Sequence, residues 1–208
     1  MTATAKAKFA LDPLDIKCTS SDCGKNLHCF LATKKMVSKN QKGECRSCGV
    51  QLVDWGRVHR KDLKDAAHTF RMLKLEMIRH HFWHKDIDEK AVIHARRKGR
   101  TGIRVAIQSR LRSSLRPNHP WDGRQTPKSD NSIYYAQHAT ATCCRKCLEE
   151  WHAIPLDREL SEEEIAYLVE LCAMFINERL PNLTETGEKI SRSRRKNSAQ
   201  SSEEPNSA

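Results

Sequence analysis

Apolar residues recur every three or four positions through the middle of the chain, which is the period of amphipathic helices. The longest such run covers residues 61–84. Two further helices are expected at 88–97 and 102–115, separated by Gly99, because glycine favours a helix end. The pattern predicts a mainly α-helical fold for this part of the chain.

A last helix is predicted to begin at Ser161, because Glu164 stands three residues later and completes the sequence of a capping box. Its apolar stripe is broad and includes Cys172, so this cysteine is expected to be a buried thiol. Residues 117–133 precede this region and are rich in turn formers. Loops of this kind often carry functional residues.

The N-terminal part has a different pattern, with short segments, turn residues and paired cysteines. It is predicted to form a small β zinc ribbon at residues 16–58, ahead of a helical domain at 60–181. Residues 1–15 and 182–208 are polar or low in aromatics, and they are predicted to be a flexible N-terminus and a disordered tail.

Four N-terminal cysteines form two pairs, each followed by glycine, a pattern typical of a tetrahedral zinc site. The predicted ligands are Cys18, Cys23, Cys45 and Cys48. A site closed by four thiolates stabilises folding and leaves no position for substrate. Two pairs of reduced structural cysteines are the alternative, and Cys29 could replace Cys23. His28 and His59 are expected at the surface.

A second group of cysteines and histidines lies within one short C-terminal segment, and i, i+3 spacing places two of its thiols on one helix face. The candidate ligands of a second metal are His138, Cys144, Cys147 and His152, with Cys143 as an alternate. A buried, packed helix and a reactive thiol remain alternatives. The sequence predicts one zinc ion and leaves a second open.

The chain is basic, with a net charge of +11. Residues 57–128 hold 19 Lys and Arg against 7 Asp and Glu, so the excess lies there. The expected nucleic-acid contacts flank Gly99 and are Arg96, Arg97, Lys98 and Arg100. A solvated basic face, or contact with an acidic protein or lipid, is the alternative. The basic run 192–196 is expected to be a solvated tail, and a nucleic-acid arm is its alternative.

Several polar side chains cluster around the turn-rich loop and could perform general acid–base chemistry on an anionic substrate. The catalytic candidates are His138, Asp122, Arg124 and Gln125. The alternative is a buried hydrogen-bond network that fixes the loop to a helix, in which Thr140 and Thr142 take part.

Three strings make the chain recognisable: DGRQTP at 122–127, AQHATATCCRKCLEEWHAIP at 136–155 and RELSEEEIAYLV at 158–169. Together they resemble the bacterial family called domain of unknown function 4186, over about residues 70–180. The resemblance implies no activity, because that family has none assigned. The chain departs from short members of the family by its added N-terminal cysteines and by KSDNSIYY at 128–135.

These observations favour a zinc-containing, basic, nucleic-acid-binding protein. A metal-dependent enzyme is the first alternative, either nuclease-like or a hydrolase of another phosphorylated substrate that uses residues 138–152. A structural protein-interaction module with an unknown protein partner is the second. No secretory signal and no membrane span is evident, so a cytoplasmic location is expected.

Overall fold

The structure, a computed structural model, describes residues 16–117 and 126–190 and is mainly helical. The α-helices of these ranges are α1 Lys34–Ser38, α2 Trp55–His59, α3 Ala66–Leu73, α4 Met77–His84, α5 Glu89–Ser114, α6 Ser132–Ala139, α7 Arg145–His152 and α8 Glu162–Arg179. None of the described helices combines the length and apolarity needed to cross a membrane.

Helix α8 lies at the centre and packs against α3, α5 and α6. The predicted capping box is confirmed, since the Ser161 hydroxyl accepts from the Glu164 backbone and the Glu164 carboxylate accepts from the Ser161 backbone. Cys172 is fully buried, as predicted. Most positions of α8 from Ile165 to Ile176 are buried, so this helix stabilises the fold through contacts on several sides.

The single helix predicted for residues 61–84 is wrong, because α3 ends at Leu73 and α4 begins at Met77. The intervening backbone pairs with a distant segment. The His28 N–H donates to the Leu75 carbonyl at 2.8 Å, and the Met77 N–H donates to the His28 carbonyl at 2.9 Å. These long-range hydrogen bonds stabilise the non-helical connection between α3 and α4.

The predicted β ribbon is also wrong, because residues 16–58 contain no strand. Two isolated bridges are present instead, Asp22 with Leu27 and His28 with Glu76. The extended segment around His28 pairs with the α3–α4 connection and has no neighbouring ribbon strand. Phe30 from this segment packs edge-on against Trp151 of α7 at 5.8 Å between ring centroids, within one continuous core.

Helix α5 is kinked at Gly99, where φ is +64° and ψ is 178°, so the two helices predicted on either side of this glycine are confirmed. Residues 182–190, predicted to be part of the disordered tail, pair with the kink. The Arg100 N–H donates to the Thr184 carbonyl at 2.9 Å, and the Glu188 N–H donates to the Arg96 carbonyl at 2.9 Å. Residues 182–190 are therefore attached to α5 by backbone hydrogen bonds.

The close approach at the kink requires glycine. A Cβ on Gly99 would lie 2.5 Å from the backbone carbon of Thr186, and one on Gly187 would lie 1.9 Å from the Arg97 carbonyl oxygen. The backbone angles of Gly99 also belong to a region that other residues rarely adopt. The two glycines thus allow residues 182–190 to form hydrogen bonds with backbone N–H and carbonyl groups that lack helical partners at the kink.

Candidate metal centres

The first candidate centre lies near the surface of the N-terminal part. Its ligand atoms all fall within 4.8 Å of one another, and they belong to Cys23, His28, Cys45 and Cys48. Cys23 opens a short 3-10 turn, His28 follows in the extended segment, and the last two cysteines flank a turn that ends at Gly49 with φ +76°. His28 and Cys45 are buried, whereas Cys48 is exposed.

The spacings within this group match one tetrahedral ion. Zn–S bonds of about 2.3 Å place two thiolates about 3.8 Å apart, and a thiolate and an imidazole nitrogen about 3.6 Å apart. The Cys23 and Cys45 sulfur atoms are 3.8 Å apart, and Cys48 Sγ lies 3.5 Å from His28 Nδ1. The group can therefore hold zinc without rearrangement.

Neighbouring polar groups orient one of these ligands and lower the pKa of another. The Asn26 carboxamide oxygen is 3.0 Å from His28 Nε2, which must donate to it, so Nδ1 is left to face the thiols. Burial disfavours a Cys45 thiolate, but N–H groups of Cys29, Cys48 and Ser47 outweigh burial and lower the pKa of Cys45 to about 6. Cys45 is therefore a thiolate at neutral pH, the form that binds metal.

The ligand set differs from the predicted one. His28, expected at the surface, occupies the place assigned to Cys18, and Cys29 is not in the group. Cys18 lies elsewhere, with its carbonyl accepting from the Cys29 thiol at 3.3 Å. The prediction relied on the two cysteine pairs, and the only sequence signal for His28 was its position five residues after Cys23.

The second candidate centre consists of Cys143, Cys144 and Cys147, whose sulfur atoms also lie within 4.8 Å of one another. A turn with Ala141 at φ +57° follows α6 and brings the chain back to α7. Cys144 is the N-cap of α7 and Cys147 stands one turn inside it, so both thiols face the same side. The Cys143 thiol donates to Cys147 Sγ at 3.5 Å.

A buried arginine governs the electrostatics of this second group. Arg79 donates from Nη2 to Cys147 Sγ at 3.1 Å and from Nε to the Glu76 carboxylate at 2.9 Å. The Cys143 and Cys144 thiols, together with Arg79, hold the pKa of Cys147 well below its usual range, although burial opposes this. Within the group, the pKa of Cys147 is thus lowered, whereas those of Cys143 and Cys144 are raised.

The two histidines predicted to complete this centre are used differently. His138 Nε2 donates to the Thr126 carbonyl at 2.9 Å, and His152 Nε2 donates to the Thr140 carbonyl at 3.1 Å. Burial lowers the pKa of each to about 4, so both are neutral at pH 7. The group of mutually close ligand atoms keeps Cys144 and Cys147 from the predicted set, includes Cys143, the alternate, and contains neither histidine.

Among the catalytic candidates, Asp122, Arg124 and Gln125 lie outside the described residues. His138 is only 2% exposed and stacks on Phe82, with 4.3 Å between the ring centroids. Thr140 and Thr142 both contact the Cys172 thiol at 3.3 Å. For these described residues, the structure shows the alternative arrangement, a buried hydrogen-bond network.

Three of the four cations predicted to contact nucleic acid are engaged by residues 177–190. Arg96 donates to Glu188 at 2.6 Å, Arg97 donates to the Ile190 carbonyl at 3.3 Å, and Arg100 donates to the Pro181 carbonyl at 2.7 Å. Lys98 differs from them, because it lines a groove on another side of α5.

This groove has a volume of about 470 Å³ and runs along α5 beside the start of α6. Its cations are Lys98 and Arg110, and none of the described residues that line it is acidic. The Arg110 guanidinium lies 5.1 Å from the centre of the Tyr134 ring, and its buried Nε has no hydrogen-bond partner among the described residues. Sequence reasoning missed Arg110 and Tyr134 as a pair, because they are 24 residues apart.

Comparison with known proteins assigns the helical part. No solved structure matches the chain. The profile of the family described as a domain of unknown function, DUF4186, matches residues 67–177, more than half of the sequence, and includes the second cysteine group and most of α8. The resemblance noted in the sequence is therefore confirmed, and the chain belongs to the DUF4186 family.

Proposed function

We propose that this protein binds nucleic acid through the α5 groove and that zinc at Cys23, His28, Cys45 and Cys48 stabilises its N-terminal part. The observation that supports binding is the groove itself, which presents Lys98 and Arg110 with no acidic lining residue among those described. Phosphate oxygens are attracted to such a surface, and most protein contacts to nucleic acid go to phosphate and sugar.

The surroundings of the groove extend its positive charge. A second depression, of about 420 Å³, continues along α5 past Val105 and Ser109 to Arg112 and Arg116. Arg112 pairs with Glu162 at 2.5 Å, whereas the Nε of Arg116 donates to the Arg112 carbonyl. The path therefore follows one face of α5 and differs from the predicted site at Arg96–Arg100, where intramolecular contacts occupy most of the cations.

The zinc ion of this proposal has a structural role. Four protein ligands leave no open position for water or substrate, so the ion supplies folding energy and no catalysis. The Asn26 contact to His28 supports the assignment, because histidine ligands commonly donate their other ring nitrogen to an oxygen.

The binding proposal is tested by fluorescence anisotropy with labelled single-stranded RNA, single-stranded DNA and duplex DNA over a series of salt concentrations. Affinity for at least one of them is expected to fall steeply with salt. Replacing Lys98 or Arg110 by alanine is expected to weaken binding and to reduce the salt slope by about 1 for each lost phosphate contact.

Arg104→Ala is the matched control, since Arg104 is on the same helix but pairs with Glu170 at 2.6 Å and does not line the groove. Circular dichroism of each variant verifies folding. The proposal is wrong if none of the three probes binds at low salt, or if Arg104→Ala weakens binding as much as the groove variants do.

A further inference from the structure

The three thiols of the second cysteine group are close enough to share a single metal ion. The sulfur atoms of Cys143, Cys144 and Cys147 lie within 4.8 Å of one another, and those of Cys143 and Cys147 are 3.5 Å apart. One tetrahedral zinc ion places two thiolate sulfur atoms about 3.8 Å apart, because each Zn–S bond is about 2.3 Å long. Small side-chain movements therefore bring all three sulfur atoms to one ion.

The surroundings of the group stabilise negative charge on its sulfur atoms. The Arg79 guanidinium donates to Cys147 Sγ at 3.1 Å and to Cys143 Sγ at 3.8 Å. Cys144 stands at the N-cap of α7, where backbone N–H groups carry positive partial charge, and its side chain accepts no capping hydrogen bond. Metal binding requires thiolates and releases the protons that the thiols still carry. The arginine and the helix end both favour that form.

The described part of the chain supplies three ligands to this group and no fourth. Among the residues that the structure describes, no further cysteine, histidine or carboxylate atom belongs to the group. The Nε2 atoms of His138 and His152 donate to backbone carbonyls. The Glu76 carboxylate accepts from Arg79 and from the Trp151 indole at 2.6 Å. A tetrahedral ion bound here is therefore left with one coordination position to fill.

The exposure and the charge of the group indicate what can fill that position. Cys143 and Cys147 are buried, whereas Cys144 is partly exposed, so the group reaches the surface on the Cys144 side. Three thiolates outweigh the charge of one Zn²⁺ ion, and Arg79 is already paired with Glu76 at 2.9 Å. An anionic fourth ligand would add charge without a partner in a largely buried site, which favours a neutral ligand.

We propose that Cys143, Cys144 and Cys147 bind one zinc ion whose fourth position is open to a neutral ligand from solvent, either water or a nitrogen base. Three protein ligands and an open position are the arrangement of catalytic zinc sites, in which the ion polarises the ligand that it binds. The two zinc ions would then differ in role: the first orders the N-terminal part, and the second offers a coordination position within the DUF4186 region. This inference does not depend on nucleic-acid binding.

The first test measures zinc per chain after dialysis against a weak chelator. We expect two ions in the wild-type protein and one in Cys144→Ala. The variant Cys45→Ala/Cys48→Ala lacks two ligands of the first group and is expected to keep one ion, whereas the triple variant keeps none. Cys144 is only partly buried, so its replacement is expected to preserve the fold, which circular dichroism verifies. The proposal is overturned if Cys144→Ala holds as much zinc as the wild-type protein.

The second test examines the open position with cobalt(II) in place of zinc, because the visible absorption of cobalt depends on its ligands. In Cys45→Ala/Cys48→Ala, where only the second centre remains, added imidazole is expected to shift the absorption bands until the site is saturated. Cys144→Ala is the matched control, since it keeps only the four-ligand first centre and its bands are expected to stay unchanged. The open position is ruled out if imidazole leaves the bands of the second centre unchanged or shifts those of both centres equally.

Discussion

The two cysteine groups differ in whether their parts come from residues that are close together in the sequence. Cys23, His28, Cys45 and Cys48 lie within 26 residues of one another, and the chain between them supplies Asn26 to orient the imidazole. The group at α7 has three thiols in one turn, but its charge partner, Arg79, comes from α4. The first centre is thus largely local, whereas the second depends on the tertiary fold.

The strongest test of the local character of the first centre is Cys45→Ala. We expect this variant to lose one zinc ion and to become susceptible to protease within residues 16–58, while the helical signal of α3–α8 remains. Structural zinc contributes on the order of 10 kcal/mol of apparent binding free energy in small zinc-dependent peptides, so its loss outweighs the local packing. Zinc analysis and limited proteolysis measure both effects; wild-type resistance with one ion fewer would show that packing alone orders this segment.

The dependence of the second centre on tertiary structure is tested by Arg79→Met. This change leaves Glu76 buried without its ion-pair partner and removes the cation beside Cys147, so we expect a loss of about 3–5 kcal/mol in the free energy of unfolding. Urea unfolding measures this loss. The double variant with Glu76→Gln should recover part of it, because no buried carboxylate is left unpaired; a loss below about 1 kcal/mol in Arg79→Met would contradict the proposed role.

A smaller effect is expected from the residue that orients the imidazole in the first centre. Asn26→Gly removes the acceptor for His28 Nε2 and tolerates the φ of +57° at this position. We expect zinc affinity to fall about 10- to 100-fold, measured by competition with a chromophoric chelator. Asn40→Gly is the matched control, because Asn40 also has positive φ, at +56°, but is not among the ligand groups. Equal zinc affinities in the two variants would show that Asn26 does not orient His28 for zinc binding.

Local sequence signals predicted the elements that depend on neighbours along the chain. The Ser161 cap and the Gly99 break were both found, because a capping box and a glycine act within one helical turn. The break between α3 and α4 was missed, since its cause is pairing with His28, about 50 residues away. Helix α6 was missed because its start lies in a segment rich in turn formers.

The same distinction applies to the two candidate metal sites. Cys23, Cys45 and Cys48 of the predicted ligand set lie in the first candidate group, and His28 lies there in place of Cys18, because spacing cannot show where an extended segment turns. His138 and His152 were predicted as ligands from their proximity to the cysteines in sequence. The Nε2 atom of His138 instead donates to the Thr126 carbonyl ahead of α6, and that of His152 donates to the Thr140 carbonyl beside the turn at Ala141. These pairings are visible only in the folded chain.

The smallest predicted effect is a change in the pH dependence of stability. It distinguishes a buried histidine that binds no zinc, His152, from the candidate ligand His28. Burial lowers the pKa of His152 to about 4, against about 6.5 in the unfolded chain. Its contribution to stability is therefore complete above pH 6.5 and is lost as the pH falls towards 4, at about 1.4 kcal/mol per pH unit, because only the unfolded chain takes up the proton. We expect His152→Gln to keep its zinc and to have a lower free energy of unfolding than the wild-type protein at pH 7. Between about pH 6 and 5, its free energy of unfolding should change less steeply with pH, by about 1.4 kcal/mol per pH unit. Urea unfolding at equal zinc content measures both differences. His28→Gln should instead lose a zinc ion at pH 7. If His152→Gln lost zinc while its pH dependence stayed that of the wild-type protein, His152 would be a ligand, and the second centre would resemble the first in using an imidazole.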